Sequence, residues 1–145
     1  MRNFPAVSDA ITTQRIERLR AVPVFAELDD DALRSVLDCA TEFEAPAGHV
    51  LAESGMAGAG LFVVEEGSAV VEVPGQPREL GPGEFFGELS LLVPDAVRAA
   101  RVRVKKPARL LALSRHDFER ILESQPRMAL AMLRVLAKRI IDPAH

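Results

Sequence analysis

Apolar residues recur at helical spacing near the start of the chain, where they predict two short helices. The first is predicted over residues 8–20, with Ser8 as its N-cap and Pro23 after its end. The second is predicted over residues 30–40, where Asp29 to Asp31 suit the positive N-terminal end of a helix. An apolar stripe along the second helix predicts that it packs against a core.

The pattern changes to that of strands in the middle of the chain, where all nine glycines lie between Gly48 and Gly87. Short runs rich in β-branched or aromatic residues predict strands at 49–52, 61–64 and 69–73. Residues typical of turns separate these runs at 55–58, 65–68 and 74–77. Short strands at this spacing indicate an antiparallel barrel or sandwich.

Two further strands and a capped helix are predicted after residue 100. The strands, at 101–105 and 109–113, are separated by Pro107. Ser114 is a good N-cap for the helix that follows, with Asp117 at its third position.

The last helix is predicted to begin near Pro126, a residue that suits the first position of a helix. Its apolar residues cover more surface than one core-facing stripe requires. We therefore expect the helix 126–141 to pack on the sheet and to offer a second face to a partner.

Length and composition favour one domain. The chain has 145 residues, of which 48% are hydrophobic and 27% charged, enough for a core of its own. The single cysteine, Cys39, excludes an internal disulfide framework and is expected to be a small buried residue in a reducing compartment.

The N-terminus lacks the apolar core of a signal peptide, and no apolar run approaches the roughly 20 residues of a membrane span. We expect a cytoplasmic protein without membrane contact.

The net charge of −3 hides an asymmetry along the chain. Residues 1–94 carry 6 basic and 16 acidic side chains, whereas residues 95–145 carry 12 basic and 5 acidic ones. These charges are interpreted either as solvated faces of strands and helices or as a positive field around an anionic ligand or partner.

The candidate site is the stretch Phe85 to Leu92, followed by Arg98-Ala99-Ala100. Gly87 allows a tight turn and a close approach of the backbone to a ligand. Glu88 is a carboxylate in an apolar run, and it can accept hydrogen bonds from a pair of sugar hydroxyls. Arg98 offers a rigid fork of donors that matches a phosphate. Together these residues indicate a nucleotide site; alternatively, Glu88 and Arg98 pair with each other across the loop.

The sequence lacks the patterns of an enzyme or a metal site. His49, His116 and His145 show no metal-ligand spacing, and Ser90 has no base partner nearby in sequence. The basic residues at 101–106 come without a nucleic-acid-binding motif or interleaved aromatic residues. We therefore expect a binding module that is not an enzyme, holds no metal and binds no nucleic acid.

The string Phe86-Gly87-Glu88-Leu89-Ser90-Leu91, six further residues and then Arg98-Ala99-Ala100 resembles the phosphate-binding cassette of cyclic nucleotide-binding domains. This family includes catabolite-activator-type regulators, regulatory subunits of protein kinase A and cyclic-nucleotide-gated channels. The resemblance covers about residues 20–141. It implies an α+β, mainly β fold, in which an antiparallel β-roll, a double-stranded jelly-roll-like barrel, lies between an N-terminal helical segment and two C-terminal helices.

The resemblance implies a single cyclic nucleotide-binding domain over residues 1–145. The implied parts are N-terminal helices at 1–45, the β-roll at 46–113 with the cassette at 83–100, and a helix pair at 114–141.

The resemblance also implies a role for each residue of the site. Glu88 would bind the ribose 2′-hydroxyl, and Arg98 would bind the cyclic phosphate. The remaining phosphate oxygens would be bound by backbone groups at Gly87, Leu89, Ser90, Ala99 and Ala100. Phe86 is the eighth predicted ligand-binding residue.

The ligand implied by the resemblance is cAMP rather than cGMP, because Ala99 stands where cGMP-selective members tend to carry a threonine. Pro143 and Ala144 stand where the catabolite-activator group contacts adenine through hydroxyl side chains. Two hypotheses follow. One is a stand-alone sensor that signals to a homodimer partner or a separate effector through the helix 126–141. The other is a degenerate module that keeps the roll and binds proteins but no nucleotide usefully.

Overall fold

The structure is a computed structural model that describes residues 5–52, 60–87 and 100–141. These residues form four α-helices, one short 3₁₀ helix and six strands. The helices are α1 (Pro5–Arg20), the 3₁₀ helix (Pro23–Phe25), α2 (Asp30–Cys39), α3 (Arg115–Ser124) and α4 (Pro126–Ile141). The strands are β1 (Thr41–Ala45), β2 (Val50–Ala52), β3 (Gly60–Glu72), β4 (Arg78–Leu80), β5 (Phe85–Phe86) and β6 (Arg101–Ser114).

The strands form one antiparallel sheet around its two long members, β3 and β6. These pair from Gly60 opposite Ser114 to Glu72 opposite Arg101. The short strands β1 and β2 pair with β6, and β4 and β5 pair with β3. Helices lie before and after this sheet in the chain. The predicted α+β, mainly β fold class is confirmed.

Alternate residues of β3 serve two separate cores, because successive side chains of a strand point to opposite faces of a sheet. Leu61 and Val63 pack with the helices, whereas Phe62 and Val64 pack with the other strands. The fully buried side chains of the helical core include Leu19, Phe25, Leu33, Phe118 and Met128. The strand core includes Ala69, Leu80, Phe86, Val102 and Leu110. The helices thus cover one face of the sheet, and the strands enclose the other.

The turn predicted at 65–68 is wrong, as is the break predicted at Pro107. β3 continues through the first segment and β6 through the second. The register of the two strands shifts where Gly67, with φ +80°, lies beside Pro107. Proline cannot donate a hydrogen bond to a neighbouring strand, but it is tolerated at β-bulges. Pro107 is therefore accommodated at the place where the register between β3 and β6 shifts.

Two elements near the N-terminus also differ from the prediction. Ser8 is not an N-cap but lies inside α1, which begins at Pro5, where the missing N–H of proline costs no hydrogen bond. The strand β1 was not predicted, because Glu42 and Glu44 are residue types that strands disfavour. The predicted cap of α3 is confirmed, since the Ser114 hydroxyl accepts from the Asp117 N–H at 3.3 Å. The turn predicted at 55–58 lies outside the described residues.

Cys39 was expected to be buried, but the structure leaves it partly exposed. It is half-buried at the end of α2, where its thiol donates to the Ser35 carbonyl oxygen with a sulfur–oxygen distance of 3.2 Å. Burial, with a smaller contribution from Asp117, raises the pKa of the Cys39 thiol, which disfavours the reactive thiolate.

The described residues contain neither a membrane-spanning helix nor a metal-ligand group. No helix of the described ranges has the length and apolar character needed to cross a membrane. In the same ranges, no three histidine, cysteine, aspartate or glutamate side chains gather as a group that could hold a metal ion.

Candidate functional site

The candidate site begins at β5, which the sheet holds in place. Phe85 pairs with Val63, and Phe86 pairs with Phe62. The ring of Phe86 is buried and stacks on Phe62, with centroids 5.0 Å apart and planes at 13°, a geometry that aromatic pairs favour when offset. Gly87 follows at φ +99°, a conformation that side-chain-bearing residues rarely adopt. The residues after Gly87 in the predicted glycine turn lie outside the described part of the chain, so the turn stays a prediction.

The turn that leads into β5 is tied to β3 by backbone hydrogen bonds. The Gly83 N–H donates to the Val64 carbonyl oxygen at 2.7 Å, and the Val64 N–H donates to the Glu84 carbonyl oxygen at 2.9 Å. The Glu84 carboxylate also accepts from the Gly81 N–H at 2.8 Å. These bonds hold the backbone that leads into Phe85 and Phe86 against β3.

The other end of the candidate site is the start of β6. Ala100 is buried, and the next residue, Arg101, pairs with Glu72 of β3. Val102 pairs with Ala52 of β2. The chain therefore enters the sheet directly after the Arg98-Ala99-Ala100 string, between two neighbouring strands.

The structure describes three of the predicted site residues: Phe86, Gly87 and Ala100. The other five, Glu88, Leu89, Ser90, Arg98 and Ala99, lie outside the described residues. The possible ion pair between Glu88 and Arg98 lies there as well. The site roles of all eight residues stay predictions, and what the structure adds is the framework on either side of them.

A contact that the sequence did not predict joins α4 to β5. The Arg139 guanidinium donates to the Phe85 carbonyl oxygen at 2.8 Å and lies over the Phe85 ring, 4.8 Å from its centroid. Such a cation–π contact adds to the hydrogen bond. The apolar pattern of the last helix gave no sign of this contact, because Arg139 is a cation near the C-terminus of α4, where cations are common.

Beside this contact lies a groove of about 470 Å³ between the 3₁₀ helix, the turn before β5 and α4. Its lining residues are Pro23, Val24, Gly83, Glu84, Phe85, Val135, Lys138, Arg139 and Ile141. Because Phe85 packs with the helical core and Phe86 with the strand core, the groove lies on the helix side of β5. The groove therefore lies between the helices and β5 and is separate from the strand core.

The second apolar face expected on the last helix is present. α4 buries Met128 and Met132 against the core. Its exposed large apolar residues, with their exposed fractions, are Leu130 (47%), Leu133 (62%), Ile140 (79%) and Ile141 (83%). An exposed apolar set of this kind on one element is typical of an interaction surface.

Comparison with known protein families gives one match that covers more than half of the chain. The family described as "Cyclic nucleotide-binding domain" matches residues 42–125. This range contains all six strands except the first residue of β1, together with α3. It also contains both halves of the candidate site.

Two curated relatives illustrate the similarity in sequence. A cyclic nucleotide-gated potassium channel of Rhizobium etli is 37% identical over 109 residues, which cover 75% of this chain and 30% of the channel. A cAMP-dependent protein kinase regulatory subunit of Aspergillus fumigatus is 35% identical over 107 residues, which cover 72% of this chain and 26% of that subunit. The chain thus spans less than a third of the length of these relatives.

A solved structure agrees with the fold. The catabolite activator protein of Thermus thermophilus superposes with a TM-score of 0.71 at 29% sequence identity, covering 83% of this chain and 59% of that one. The predicted β-roll between helical segments is therefore confirmed, together with the family that the cassette resembles.

Proposed function

The chain belongs to the cyclic nucleotide-binding domain family, and on this premise we propose that it binds a cyclic nucleotide, with cAMP favoured over cGMP, as a regulatory sensor and not as an enzyme. One observation carries the proposal. The Phe86-Gly87 end of the motif continues from β5, and its Ala100 end continues into β6. Both strands pair with β3, so the sheet anchors both halves of the proposed clamp.

In the proposed site, Arg98 binds the cyclic phosphate and Glu88 binds the ribose 2′-hydroxyl. The arginine fork suits the phosphate oxygens, and an ionised carboxylate can only accept hydrogen bonds, which suits a sugar hydroxyl. The phosphate contacts are completed by backbone N–H groups at Gly87, Leu89, Ser90, Ala99 and Ala100. Phe86, which directly precedes Gly87, also belongs to the proposed site. The positive φ of Gly87 supports this arrangement, because it is a backbone conformation that residues with a side chain rarely adopt.

The preference for cAMP rests on Ala99, whose methyl group cannot donate a hydrogen bond to guanine. The name of the fungal relative, a cAMP-dependent regulatory subunit, supports the same choice. Neither Pro143 nor Ala144 can hydrogen-bond the base through its side chain. We therefore expect the sugar and phosphate to supply most of the affinity.

The signal would pass from the clamp to α4 through β5. Arg139 of α4 contacts both the carbonyl oxygen and the ring of Phe85, two residues before the glycine turn. A ligand shifts the position of a helix only when it binds one arrangement better than another. A movement of the clamp that displaces Phe85 would change the Arg139 contact and so the docking of α4.

Titration calorimetry with cAMP and cGMP tests the proposal. We expect micromolar binding of cAMP, equivalent to about 8 kcal/mol, and weaker binding of cGMP. A hydrogen bond to a charged group contributes about 1.5–3 kcal/mol, so Arg98→Ala should weaken cAMP binding at least tenfold. Lys106→Ala is the matched control, because it removes an exposed cation from β6 away from the motif, and it should bind as the wild type does.

The same titration decides the competing function. The absence of hydroxyl side chains at Pro143 and Ala144 favours a degenerate module that keeps the roll as a protein-interaction surface. Silence for both nucleotides at millimolar concentration would overturn the sensor and leave that alternative. A loss of less than tenfold in Arg98→Ala, with wild-type binding intact, would instead remove Arg98 from the phosphate.

A further inference from the structure

A pair of glutamates lies buried away from the candidate site, on β1 and β3, the two strands that flank β6. The side chains of Glu42 and Glu65 are only 9% and 1% exposed. Their carboxyl groups lie close enough to share a hydrogen bond. Buried carboxylates of like charge repel each other in a medium that screens poorly, so this pair requires compensation.

Three arginines from two other elements supply part of that compensation. Arg15 and Arg18 of α1 lie 2.6 Å and 3.7 Å from the carboxylate oxygens of Glu42. Arg109 of β6 lies 3.7 Å from Glu65, and it is also 3.7 Å from the exposed Glu44 of β1. The charged groups that face Glu65 are thus Glu42 from β1, Arg18 from α1 and Arg109 from β6. The cluster connects α1 to three strands.

The hydrogen bonding of the pair is incomplete when both carboxyl groups are ionised. Both oxygens of Glu65 and Oε2 of Glu42 are shielded from water and have no hydrogen-bond partner within the described part of the chain. Ionised carboxylates can only accept, so neither of the two can donate to the other. A single proton on the pair creates the missing donor, and it also removes the repulsion.

We propose that Glu42 and Glu65 share one proton, and that this proton stabilises the docking of α1 on the sheet, which makes the position of α1 depend on pH. Docking buries Ile16 and Leu19 of α1 in the helical core and brings Arg15 and Arg18 onto Glu42. Undocking of α1 admits water to the two carboxyl groups, and hydrated carboxylates no longer need the proton.

The electrostatics of the two groups agree with this geometry. Burial, the hydrogen bond with Glu42 and the negative charge of Glu42 raise the pKa of Glu65 from 4.5 to about 7, against the opposing effect of Arg18 and Arg109. Burial alone would raise the pKa of Glu42 too, but the hydrogen bonds from Glu65 and Arg15 outweigh it and lower that pKa. The proton therefore resides on Glu65, and Glu42 keeps the negative charge that the arginines of α1 bind.

The sign of the pH effect follows from linkage. The docked state holds a proton on Glu65 that the hydrated state releases at its ordinary pKa of 4.5. The stabilisation is complete below about pH 4.5, declines as the pH rises and is gone once the pH exceeds about 7. Within this window the docking equilibrium constant falls by up to about tenfold per pH unit.

Hydrogen exchange of the backbone amides of α1 tests the proposal in the full chain between pH 5 and pH 8, after correction for the intrinsic exchange rate at each pH. We expect the protection of the amides at 12–20 to fall by up to about tenfold per unit between pH 5 and pH 7 and to level off above that. Glu65→Gln should keep the protection constant, because an amide donates a hydrogen bond at every pH. Glu66→Gln, an exposed neighbour on β3, should behave as the wild type does.

Two results would overturn the proposal. One is protection of α1 in the wild type that does not change between pH 5 and pH 7. The other is the same pH dependence in Glu65→Gln as in the wild type.

Carbon-13 NMR of the glutamate carboxyl groups keeps the test valid even where Glu65→Gln alters the fold. In the wild type one carboxyl should titrate near pH 7, far above the others. A spectrum in which every glutamate titrates below about pH 5.5 would show that the pair holds no shared proton at neutral pH.

Discussion

Gly67 is the residue on which the pairing of the two long strands most depends. Its φ of +80° is already costly for a residue with a side chain, and a Cβ at this position would lie 2.2 Å from the Pro107 carbonyl oxygen and 2.7 Å from the Ala108 Cα. Because those atoms belong to the backbone of β6, they cannot move aside as a flexible side chain would. The strands pass each other here only because one of them lacks a side chain.

We predict that Gly67→Ala lowers the free energy of unfolding by at least about 2 kcal/mol, from left-handed strain of about 1–2 kcal/mol and the added clash. Thermal or urea unfolding measures the change. Gly75→Ala is the matched control, because Gly75 has nearly the same φ, +81°, but nothing lies within 4 Å of its added Cβ. It should therefore lose only about 1 kcal/mol. Equal losses in the two variants would mean that the approach of Pro107 has no energetic weight.

At the scale of elements, the link between α4 and β5 is the feature that connects the candidate site to the exposed helix. The Arg139 guanidinium binds the Phe85 carbonyl oxygen and covers its ring. Lys138, its neighbour in sequence, is exposed and lines the same groove. Two adjacent cations on one helix thus differ in what they contact.

We predict that Arg139→Met lowers the free energy of unfolding by about 1–3 kcal/mol, because it removes a charged hydrogen bond and a cation–π contact while keeping an apolar stem. Hydrogen-exchange protection near the C-terminus of α4 should fall in parallel. Lys138→Met, on the same turn, should change the stability by no more than about 0.5 kcal/mol. Equal effects of the two substitutions would rule out a special role for the Arg139 contact.

At the scale of the whole molecule, the exposed apolar face of α4 is the surface that we expect a partner to bury. Its large apolar residues lie on the same helix as Met128 and Met132, which the core buries. The proposed partner is a second copy or a separate effector.

Sedimentation of the chain with and without cAMP tests the homodimer. We predict a dimer that Leu133→Glu converts to a monomer, because a charge in an apolar interface loses its hydration without gaining a partner. Val73→Glu, on an exposed apolar residue outside α4, serves as the control and should remain dimeric. A monomer under both conditions would remove the homodimer and leave the separate effector as the proposed partner.

The sequence by itself determined the features that depend on local chemistry and on spacing. The apolar patterns predicted α2 and α4, the Ser114 cap predicted α3, and the strand spacing in the middle of the chain indicated an antiparallel barrel or sandwich. Gly87 was predicted to take a backbone conformation that suits glycine, and its φ is +99°. The string from Phe86 to Ala100 predicted the family that the comparisons confirm. These features need only neighbours in sequence, which is why one sequence sufficed for them.

Only the tertiary structure decided the features that depend on residues far apart in the chain. Pro107 breaks a strand by its local preference, yet β6 continues because the bulge at Gly67 lies beside it. Glu42 and Glu65 are ordinary surface residues in the sequence, and they become a buried pair only once the sheet places β1 and β3 on the two sides of β6. Arg139 finds Phe85 across 54 positions. Such contacts form when packing brings distant segments together, so they cannot be predicted from the residues next to each partner in the sequence.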